Sequence, residues 1–508
     1  MRKKKILNSL ELKKCIASKR NLKKKIVLCH GVFDILHIGH IKNFFNAKKN
    51  GDFLVVSITS DKFVNKGSGR PVFNHDLRAE FLSCLSIVDV VYINHNPTAI
   101  NVIEIIKPDV YFKGPDYKNS KLDKTGNILK EIKAVKKFNG KFKYSDDIVF
   151  SSSNLINTYH NIFDSKQKQY LQNISKKYSY DFISKQIDRL KKLKVLLIGE
   201  VIIDQYIFGE VLGKSGKEPH LVMSINDKEN YLGGAGAIAG HLSTFCESVN
   251  FISMIGDDKE YLTLIKKSLN KNVKTSFFIK KNSRTILKTR FVDSVSKNKL
   301  LGVYNVNEEK ILENTELKIQ KRIKFLSKKS DLIIISDYGH GLISKETANK
   351  ILSINKFISL NAQVNASNYG YHSLRKYRKI NSLVINENEL RHELRDKKSS
   401  LPILADKLIK NFNIKTLIIT RGKEGSLMIK KNKKKAIYCP AFALNIVDKV
   451  GAGDAMLAVV SLCQKIGMPD DLTLLVGSFA SAISVESIAN SQFADKNKIL
   501  RKIEYSIK

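Results

Sequence analysis

One ten-residue stretch carries glycines, an aspartate and two histidines whose types and spacing suit phosphate chemistry: Gly31, Phe33, Asp34, His37, Gly39 and His40. The apolar run 26–29 before it predicts a short buried strand, and the apolar spacing of 41–47 predicts a helix. A strand, a glycine turn and a helix start bring free N–H groups to an anion. Two histidines three residues apart at that helix start could both reach a phosphate. We therefore predict nucleotide handling here, in preference to an ordinary polar helix cap.

A second glycine-rich stretch, 448–456, reads D-K-V-G-A-G-D-A-M. It precedes an apolar segment, 455–465, for which we predict a helix. Gly451, Ala452 and Gly453 would then open that helix and direct their N–H groups at a phosphate. The structural alternative is a glycine-rich cap over a buried aspartate, Asp454. The combination of glycines and acid favours phosphoryl chemistry.

The two stretches resemble two different families. Residues 31–40 resemble the nucleotidyltransferase (cytidylyltransferase-like) superfamily, whose mark is G-x-F-D-x-x-H-x-G-H. Residues 448–456 resemble the ribokinase-like (PfkB-type) sugar kinases. Together they resemble the bifunctional ADP-heptose synthase family, which joins a heptose 7-phosphate kinase to a heptose 1-phosphate adenylyltransferase. The resemblance covers most of the chain, but the order of the two domains is reversed, because in that family the kinase comes first.

Length and composition are consistent with several folded domains. The chain has 508 residues, of which 43% are hydrophobic, and two or three domains are expected. Its six cysteines form no C-x-x-C pair, which favours a reducing cytoplasm and argues against a cysteine-built zinc site. We expect no membrane span and no signal peptide, because no apolar run is long enough to cross a membrane and the basic N-terminus lacks the apolar region of a signal peptide.

The formal net charge of +40 raises the possibility of nucleic-acid binding. The lysines are spread along the whole chain, however, and no basic stripe with interleaved aromatic residues is found. We therefore predict a solvated basic surface and no specific nucleic-acid partner. Such a surface would still attract anionic substrates.

We predict an α/β fold throughout. Predicted strands at 53–58, 88–93 and 109–112 alternate with predicted helices at 76–84 and 98–106, which indicates a parallel, doubly wound sheet. Ligands bind such sheets beyond the carboxyl ends of the strands. The predicted organisation is a Rossmann-like nucleotidyltransferase domain, a partly helical linker, and a ribokinase-like domain with a small β lid from 209–232 and 285–303; the three segments are 22–160, 161–192 and 193–508.

The resemblance to the nucleotidyltransferases implies further nucleotide-binding residues in the first domain: Lys66, Arg78, Lys113, Ser151, Ser152 and Ser153. Lys113 begins a K-G-x-D-Y stretch, and the serines form an S-[ST]-[ST]-N stretch at a predicted helix start. A lysine after a strand can neutralise a triphosphate, and serines at a helix start offer hydroxyls and free N–H groups. Taken singly, Lys113 or Ser152 would more often be a surface charge or an N-cap.

The implied reaction needs no covalent enzyme group. A sugar phosphate oxygen attacks the α-phosphorus of a nucleoside triphosphate and pyrophosphate leaves, with Mg²⁺ as cofactor. His37 and His40 would stabilise the developing charge. The H-I-G-H letters of 37–40 also occur in class I aminoacyl-tRNA synthetases, but the chain has no K-M-S-K-S-like stretch, and we reject that interpretation.

The resemblance to the sugar kinases implies roles for further residues. Asp204 would hold sugar hydroxyls (the alternative is a turn aspartate), and Gly233 and Gly234 belong to a G-G-A-x-N stretch, in which Ala237 replaces the asparagine. The nucleotide loop T-x-G-x-x-G gives Thr420, Gly422 and Gly425. An N-x-x-E motif gives Asn386 and Glu389, the latter orienting Mg²⁺ through water. Asp454 would take the proton from the attacking hydroxyl; Lys449 stands where the family usually has threonine.

The sequence therefore predicts a homodimeric, cytoplasmic enzyme that uses ATP in both steps. It would phosphorylate D-glycero-D-manno-heptose 7-phosphate and adenylylate the heptose 1-phosphate to ADP-heptose. Three alternatives stay open. One keeps both reactions but uses another sugar, or CTP in place of ATP, as Ala237 and the reversed order suggest. Another retains one half only as a binding module. The third is charge-driven nucleic-acid binding, which would be tight and salt-sensitive.

Overall fold

The structure is a computed structural model that describes residues 5–64, 70–114, 127–145, 163–307, 309–364, 368, 370–433 and 435–507. The chain divides into two compact units, Met1–Ile162 and Phe163–Lys508. No helix within the described ranges combines the length and the apolar character that crossing a membrane requires.

The first unit is a parallel α/β sheet. Its described strands are β1 (Ile6–Leu7), β2 (Ile26–Gly31), β3 (Phe53–Thr59), β4 (Val90–Asn94), β5 (Val110–Lys113) and β6 (Lys141–Tyr144). Its described helices are α1 (Ser9–Asn21), α2 (Ile38–Lys48), α3 (His75–Ser83), α4 (Ile100–Ile106) and α5 (Asn127–Lys137). The strand order is β1-β4-β3-β2-β5-β6, with every pairing parallel.

This topology confirms the predicted doubly wound sheet and locates its ligand edge. The strand order changes direction between β2 and β5, so Gly31 and Lys113 end adjacent strands at the same edge. Two apolar cores lie on the two faces of the sheet, one around Val55 and one around Val56, because successive strand side chains point to opposite faces. The first unit also includes β1 and α1, which precede residue 22, where we placed the start of the domain.

The second unit contains a larger sheet and a separate small one. Its strands are β7 (Lys194–Gly199), β8 (Val201–Lys214), β9 (Leu221–Gly234), β10 (Ser248–Gly256), β11 (Val273–Lys280), β12 (Leu287–Asp293), β13 (Lys299–Asn305), β14 (Leu332–Asp337), β15 (Phe357–Ala362), β16 (Ser382–Asn386), β17 (Thr416–Thr420), β18 (Ser426–Lys430) and β19 (Ile437–Cys439). The large sheet has the order β11-β10-β7-β14-β15-β16-β17-β18-β19, parallel through β17 and antiparallel beyond it.

Helices cover the large sheet on both faces. They are α6 (Ser165–Lys177), α7 (Tyr180–Arg189), α8 (Ala235–Ser243), α9 (Leu262–Ser268), α10 (Glu313–Ser327), α11 (Lys345–Leu352), α12 (Glu387–Leu394), α13 (Leu401–Phe412), α14 (Ala452–Lys465), α15 (Asp470–Val485) and α16 (Lys496–Ile507). α6 and α7 lie in the segment predicted as a partly helical linker. Their apolar residues, such as Leu171 and Ile183, join the core of the second unit, so these helices are part of its packing.

The small sheet is the predicted lid. Its order is β13-β12-β8-β9, and β8 follows β7 after the single residue Glu200. One end of the lid therefore lies at the carboxyl edge of the large sheet. The same edge receives the ends of β14, β16 and β17, because these strands run parallel to β7.

Candidate functional site

The predicted pair of histidines comes together at the start of α2. His37 is the N-cap, and the Gly39 N–H donates to its Nδ1 at 3.1 Å. The His37 and His40 rings stack with their centroids 3.9 Å apart, and the Phe33 ring lies edge-on to His40 at 5.3 Å. Gly31 ends β2 directly before this loop. Two imidazoles at a helix N-terminus can both donate to an anion, as the spacing predicted.

Asp34 anchors a neighbouring chain segment. It is 2% exposed, and its carboxylate accepts from the Val72 N–H at 2.7 Å and from the Phe73 N–H at 3.2 Å. The guanidinium of Arg70, also buried, lies 3.4 Å from it. Asp34 therefore holds the segment before α3 against the histidine loop. Direct contact between Asp34 and a nucleotide remains a prediction.

Arg78 on α3 is 1% exposed and donates to several groups of the protein. Its hydrogen bonds reach the main-chain carbonyls of Phe73, Val32 and Thr59 and the carboxylate of Asp61. The guanidinium thus ties the histidine loop to the end of β3. These bonds support a positioning role, and direct binding of nucleotide by Arg78 is untested.

Lys113 ends β5 and pairs with a residue that the sequence did not indicate. Its Nζ lies 3.3 Å from Glu131 on α5, and both side chains are buried. The Tyr111 hydroxyl donates to the same carboxylate at 2.9 Å. Burial opposes ionisation of Glu131, but Lys113, His30 and Tyr111 hold the pKa of its carboxyl below the ordinary value.

His30, directly before the histidine loop, is a second residue that sequence reasoning missed. Burial, and then the charge of Lys113, lower the pKa of His30 to about 4. It contacts the hydroxyls of Ser57 and Thr59 at 3.2 and 3.4 Å. His30 is therefore a neutral imidazole at physiological pH. The predicted site residues Lys66, Ser151, Ser152 and Ser153 lie outside the described residues.

In the second unit, Gly451 makes the start of α14 possible. It is the N-cap, with φ of 89°, and a Cβ at this position would lie 2.0 Å from Oδ1 of Asn490. Both the left-handed backbone and the close approach require glycine. A Cβ added to Gly453, in the first turn of α14, would meet nothing within 4 Å. Gly451 thus fixes the backbone at the helix start, whereas there is free space next to Gly453. This space, beside the N–H groups of the first turn, suits an anion.

Asp454 follows this helix start and is held by one tyrosine. The Tyr338 hydroxyl donates to its Oδ1 at 2.7 Å. Burial raises the pKa of Asp454 to about 7; the charges of Asp204 and Glu389 act in the same direction, whereas Tyr338 and Lys288 oppose them. A carboxylate with a pKa near neutrality can accept a proton and release it again.

Asp204 on β8 lies close to the predicted glycines. It is 3% exposed, and Arg290 on β12 donates to it at 2.5 Å. A Cβ on Gly233 would lie 2.1 Å from Oδ2 of Asp204, so only glycine fits beside this carboxylate. Gly234 is the N-cap of α8, and Ala237 is fully buried within that helix. The structure thus brings Asp204, Gly233 and Gly234 together where β8 and β9 meet the large sheet.

Asn386 and Glu389 form a capping box at the start of α12. The Asn386 N–H donates to Oε2 of Glu389 at 2.8 Å, and the Asn386 side chain donates to the Thr420 carbonyl at 3.3 Å. Burial raises the pKa of Glu389 to about 7. Gly422 and Gly425 follow Thr420 in the turn between β17 and β18. The motif therefore caps a helix and also joins the ends of β16 and β17.

The described residues fit a magnesium ion only in part. Within the described ranges, no group of three or more His, Cys, Asp and Glu residues is placed to hold a metal ion. Glu389 is close enough to Asp454 for its charge to raise the pKa of that carboxyl. Two such carboxylates suit an ion that is already coordinated by nucleotide phosphates, because Mg²⁺ keeps several waters and phosphate oxygens as ligands.

Three groups of the second site were missed by the sequence analysis. Glu200, fully buried between β7 and β8, accepts from the N–H groups of Tyr338 and His340 at 3.0 and 3.1 Å and so fixes the loop after β14. Lys288 and Arg290 point from β12 toward the same edge. The only signal for the last two was a K-x-R alternation within a strand predicted for the lid.

Comparison with known proteins assigns the two parts to families. The model of the pfkB family carbohydrate kinases matches residues 192–496, and the cytidylyltransferase-like model matches residues 28–159. Together they confirm the two predicted resemblances and their order along the chain.

Among curated relatives, the bifunctional protein HldE of a Nitratiruptor species is 28% identical over 272 residues, which cover 53% of this chain and 56% of the relative. That of Aliarcobacter butzleri is 42% identical over 134 residues, covering 26% and 28%. The alignments thus span about half or less of these two relatives. Among solved structures, the ribokinase of Arabidopsis thaliana, complexed with ribose and ATP, aligns with a TM-score of 0.48 at 17% identity, covering 62% of this chain and 99% of that one. Because the pfkB model matches more than half of its residues, the chain belongs to the pfkB family of carbohydrate kinases.

Proposed function

We propose that the chain is a bifunctional transferase. The kinase domain, 193–508, phosphorylates D-glycero-D-manno-heptose 7-phosphate at O1 with ATP. The nucleotidyltransferase domain, 22–160, joins heptose 1-phosphate to the adenylyl group of ATP and yields ADP-heptose. The observation that carries the proposal is the start of α14, where Asp454 has a pKa near neutrality beside an open glycine turn. The similarity to bifunctional proteins named HldE supports the pairing of the two activities.

In the kinase step, Asp454 accepts the proton of the sugar hydroxyl while the hydroxyl oxygen bonds to the γ-phosphorus. The bond from that phosphorus to the bridging oxygen of ADP breaks. The N–H groups of 451–453 would stabilise the charge on the transferred group. Asp204 would orient the sugar, and the turn from Thr420 to Gly425 would hold the nucleotide. Mg²⁺, near Glu389 and carried by the nucleotide, would neutralise phosphate charge.

In the second step, an oxygen of heptose 1-phosphate attacks the α-phosphorus of ATP, and pyrophosphate leaves. His37 and His40 would donate to the phosphate oxygens as charge develops. Lys113, which forms an ion pair with Glu131, would add a positive charge at the end of the adjacent strand. The positioning bonds of Asp34 and Arg78 would keep the histidine loop in place. No group of the enzyme becomes covalently attached in either step.

Mass spectrometry of the products tests both activities. The protein is incubated with Mg²⁺, ATP or CTP, and either heptose 7-phosphate or heptose 1-phosphate. We expect heptose bisphosphate from the first sugar and ADP-heptose from the second. A cytidylyl product would show that the second step uses CTP and not ATP. If heptose 7-phosphate is not phosphorylated with either nucleotide, the kinase uses another sugar. The replacement of the family's asparagine by buried Ala237 would agree with that result.

Two variants separate the sites. Asp454→Asn should lower phosphorylation by about 10³-fold, because a general base contributes of this order, and should leave nucleotidyl transfer unchanged. His37→Asn should do the reverse, with a loss of about 10²-fold. Each variant serves as the control for the other. Loss of both activities in either folded variant would contradict two independent sites.

We also propose a homodimer that forms through the lid. Apolar side chains on the lid strands are exposed to solvent, among them Leu212, Leu221, Ile225, Leu301 and Val303. A second copy of the sheet would cover them. Light scattering should give twice the chain mass, and Ile225→Lys should give the monomer. A cytoplasmic location is supported by the six cysteines, all of which are free.

A further inference from the structure

The lid strand β12 places a buried lysine beside the residues proposed for phosphoryl transfer. Lys288 is 6% exposed and lies in register with Asp204 on the adjacent, parallel β8. Its Nζ is 5.3 Å from the centroid of the Tyr304 ring and 5.8 Å from that of the Tyr338 ring. Within the described part of the chain, its ammonium group has no hydrogen-bond or ion-pair partner and lies near the two tyrosine rings.

A largely buried ammonium without a direct counter-ion is costly, because it has lost much of its hydration and has no hydrogen bond or ion pair in return. The nearby carboxylates do not compensate it directly. Asp204 is bonded by Arg290 at 2.5 Å, and Asp454 is bonded by Tyr338 at 2.7 Å. Burial lowers the pKa of Lys288, and the charges of Asp204, Asp454 and Glu200 act against that effect. An anionic ligand would provide the missing partner.

The position of Lys288 indicates which anion that would be. Tyr338 contacts both groups, since Nζ lies 5.8 Å from its ring centroid and its hydroxyl donates to the Asp454 carboxylate. The lysine therefore lies near both Asp204, the carboxylate proposed to bind the sugar, and Asp454, the proposed base, and the sugar hydroxyl would react in the place between these two carboxylates. The group that passes through this place is the phosphoryl group moving from nucleotide to sugar.

We propose that Lys288 is a catalytic residue contributed by the lid, and that it binds the phosphoryl group while the group is transferred to the sugar hydroxyl. The inference rests on the proposed kinase function. The other phosphate that the ammonium could meet is the 7-phosphate of the sugar, which is bound equally before and during transfer. The two sources differ in kinetics: the transferred group affects kcat, whereas the 7-phosphate affects KM for the sugar.

The test compares Lys288→Met with Lys228→Met, which removes an exposed lysine of the lid strand β9. Lys288→Met should lower kcat about 10²-fold, as the loss of one preorganised charge does, with both KM values within about threefold of wild type. Lys288→Arg should recover part of the loss, and Lys228→Met should match wild type. An unchanged kcat in folded Lys288→Met would overturn the proposal, and so would a loss confined to KM for the sugar phosphate.

Thermal melting separates this role from a structural one. If Lys288 mainly stabilised the fold through the two tyrosine rings, Lys288→Met would melt lower than wild type and kcat would recover on cooling. We expect an equal or higher Tm, because the substitution removes a buried, unpaired charge. A lower Tm together with normal turnover below the transition would overturn the proposal.

A second measurement does not depend on knowing the sugar. Melting is followed with Mg·ADP alone and with Mg·ADP plus fluoroaluminate, which mimics the planar phosphoryl group. Wild type should gain further stability from fluoroaluminate, and Lys288→Met should keep the ADP shift but lose that increment. If Lys288→Met retains the increment, Lys288 does not bind the group. If wild type shows no ADP shift at all, the kinase function itself fails, and the inference fails with it.

Discussion

The carboxyl edges of the two larger sheets differ in how they hold their buried charged side chains. At the carboxyl edge of the first sheet, the described charges are paired within the protein: Arg78 with three carbonyls and Asp61, Lys113 with Glu131, and Asp34 with Arg70. At the edge of the second sheet, Asp204 is likewise paired with Arg290, but Lys288 has no hydrogen-bond or ion-pair partner among the described residues. Burial there raises the pKa of both Asp454 and Glu389 to about 7.

This difference suggests that the two edges act on their substrates by different means. A charge that is already paired is held in one geometry, which suits a site that works by positioning. A charge that is left unpaired destabilises the protein and is available to a ligand, which suits a site where charge changes during the reaction. If this interpretation is correct, loss of a paired charge should destabilise the first edge, and groups at the second edge should change their charge during the reaction.

The largest effect is expected from Arg78→Met in the first unit. The change removes a hydrogen-bond donor from three carbonyls and leaves Asp61 with His75 as its remaining partner among the described residues, and breaking a buried network of this kind costs about 3–5 kcal/mol. Hydrogen exchange in peptides that cover β2 and β3 should become much faster, while peptides of the second unit keep wild-type rates. Lys62→Met, at a neighbouring exposed lysine, should leave exchange unchanged. Wild-type protection in Arg78→Met would show that this edge is not held by its pairs.

A smaller effect, about 2 kcal/mol, is expected from Gly451→Ala in the second unit. Alanine would have to adopt φ near 89° and would approach Asn490 to 2.0 Å. The Tm of the second unit should fall by several degrees in calorimetry. Gly453→Ala provides the contrast, because a Cβ there has free space and should not lower Tm. Equal stability of the two variants would mean that the helix start is not rigid.

The smallest effect is the pH dependence of the kinase. Asp454 must be ionised to accept a proton, and its pKa is about 7, so kcat/KM should fall about tenfold, or 1.4 kcal/mol, for each pH unit below 7. Above that value the rate should level off. The groups that face Asp454 are Tyr338, Asp204, Glu389 and Lys288, and loss of Lys288 should move the midpoint upward.

The first unit serves as the internal comparison for this profile. His30 has a pKa of about 4 and stays neutral across the same range, so it should add no inflection near pH 7 to nucleotidyl transfer. A kinase profile that is flat between about pH 6 and 8 would remove Asp454 from the role of base, because an ionised base is required for the step.

Sequence patterns predicted most of the sheet elements because parallel strands that are buried on both faces appear as continuous apolar runs. The run predicted at 53–58 became β3, Phe53–Thr59, and the helix predicted at 455–465 became the larger part of α14. The edge strand β1 and helix α1 were not predicted. β1 has only two residues, and α1 buries only Leu12 and Ile16, so neither leaves a strong periodic signal.

The sequence by itself determined the two families, the α/β class and the order of the motifs. Each motif is short, and all of its residues lie close together in the chain, so it can be identified from the sequence alone. Only the tertiary structure revealed the partners of those motifs. Glu131 meets Lys113 through helix packing, Glu200 fixes the loop at Tyr338, and Lys288 reaches the Asp454 edge from a separate sheet. Such contacts join residues that are distant in the chain, and their charges are set by burial, which no local spacing encodes.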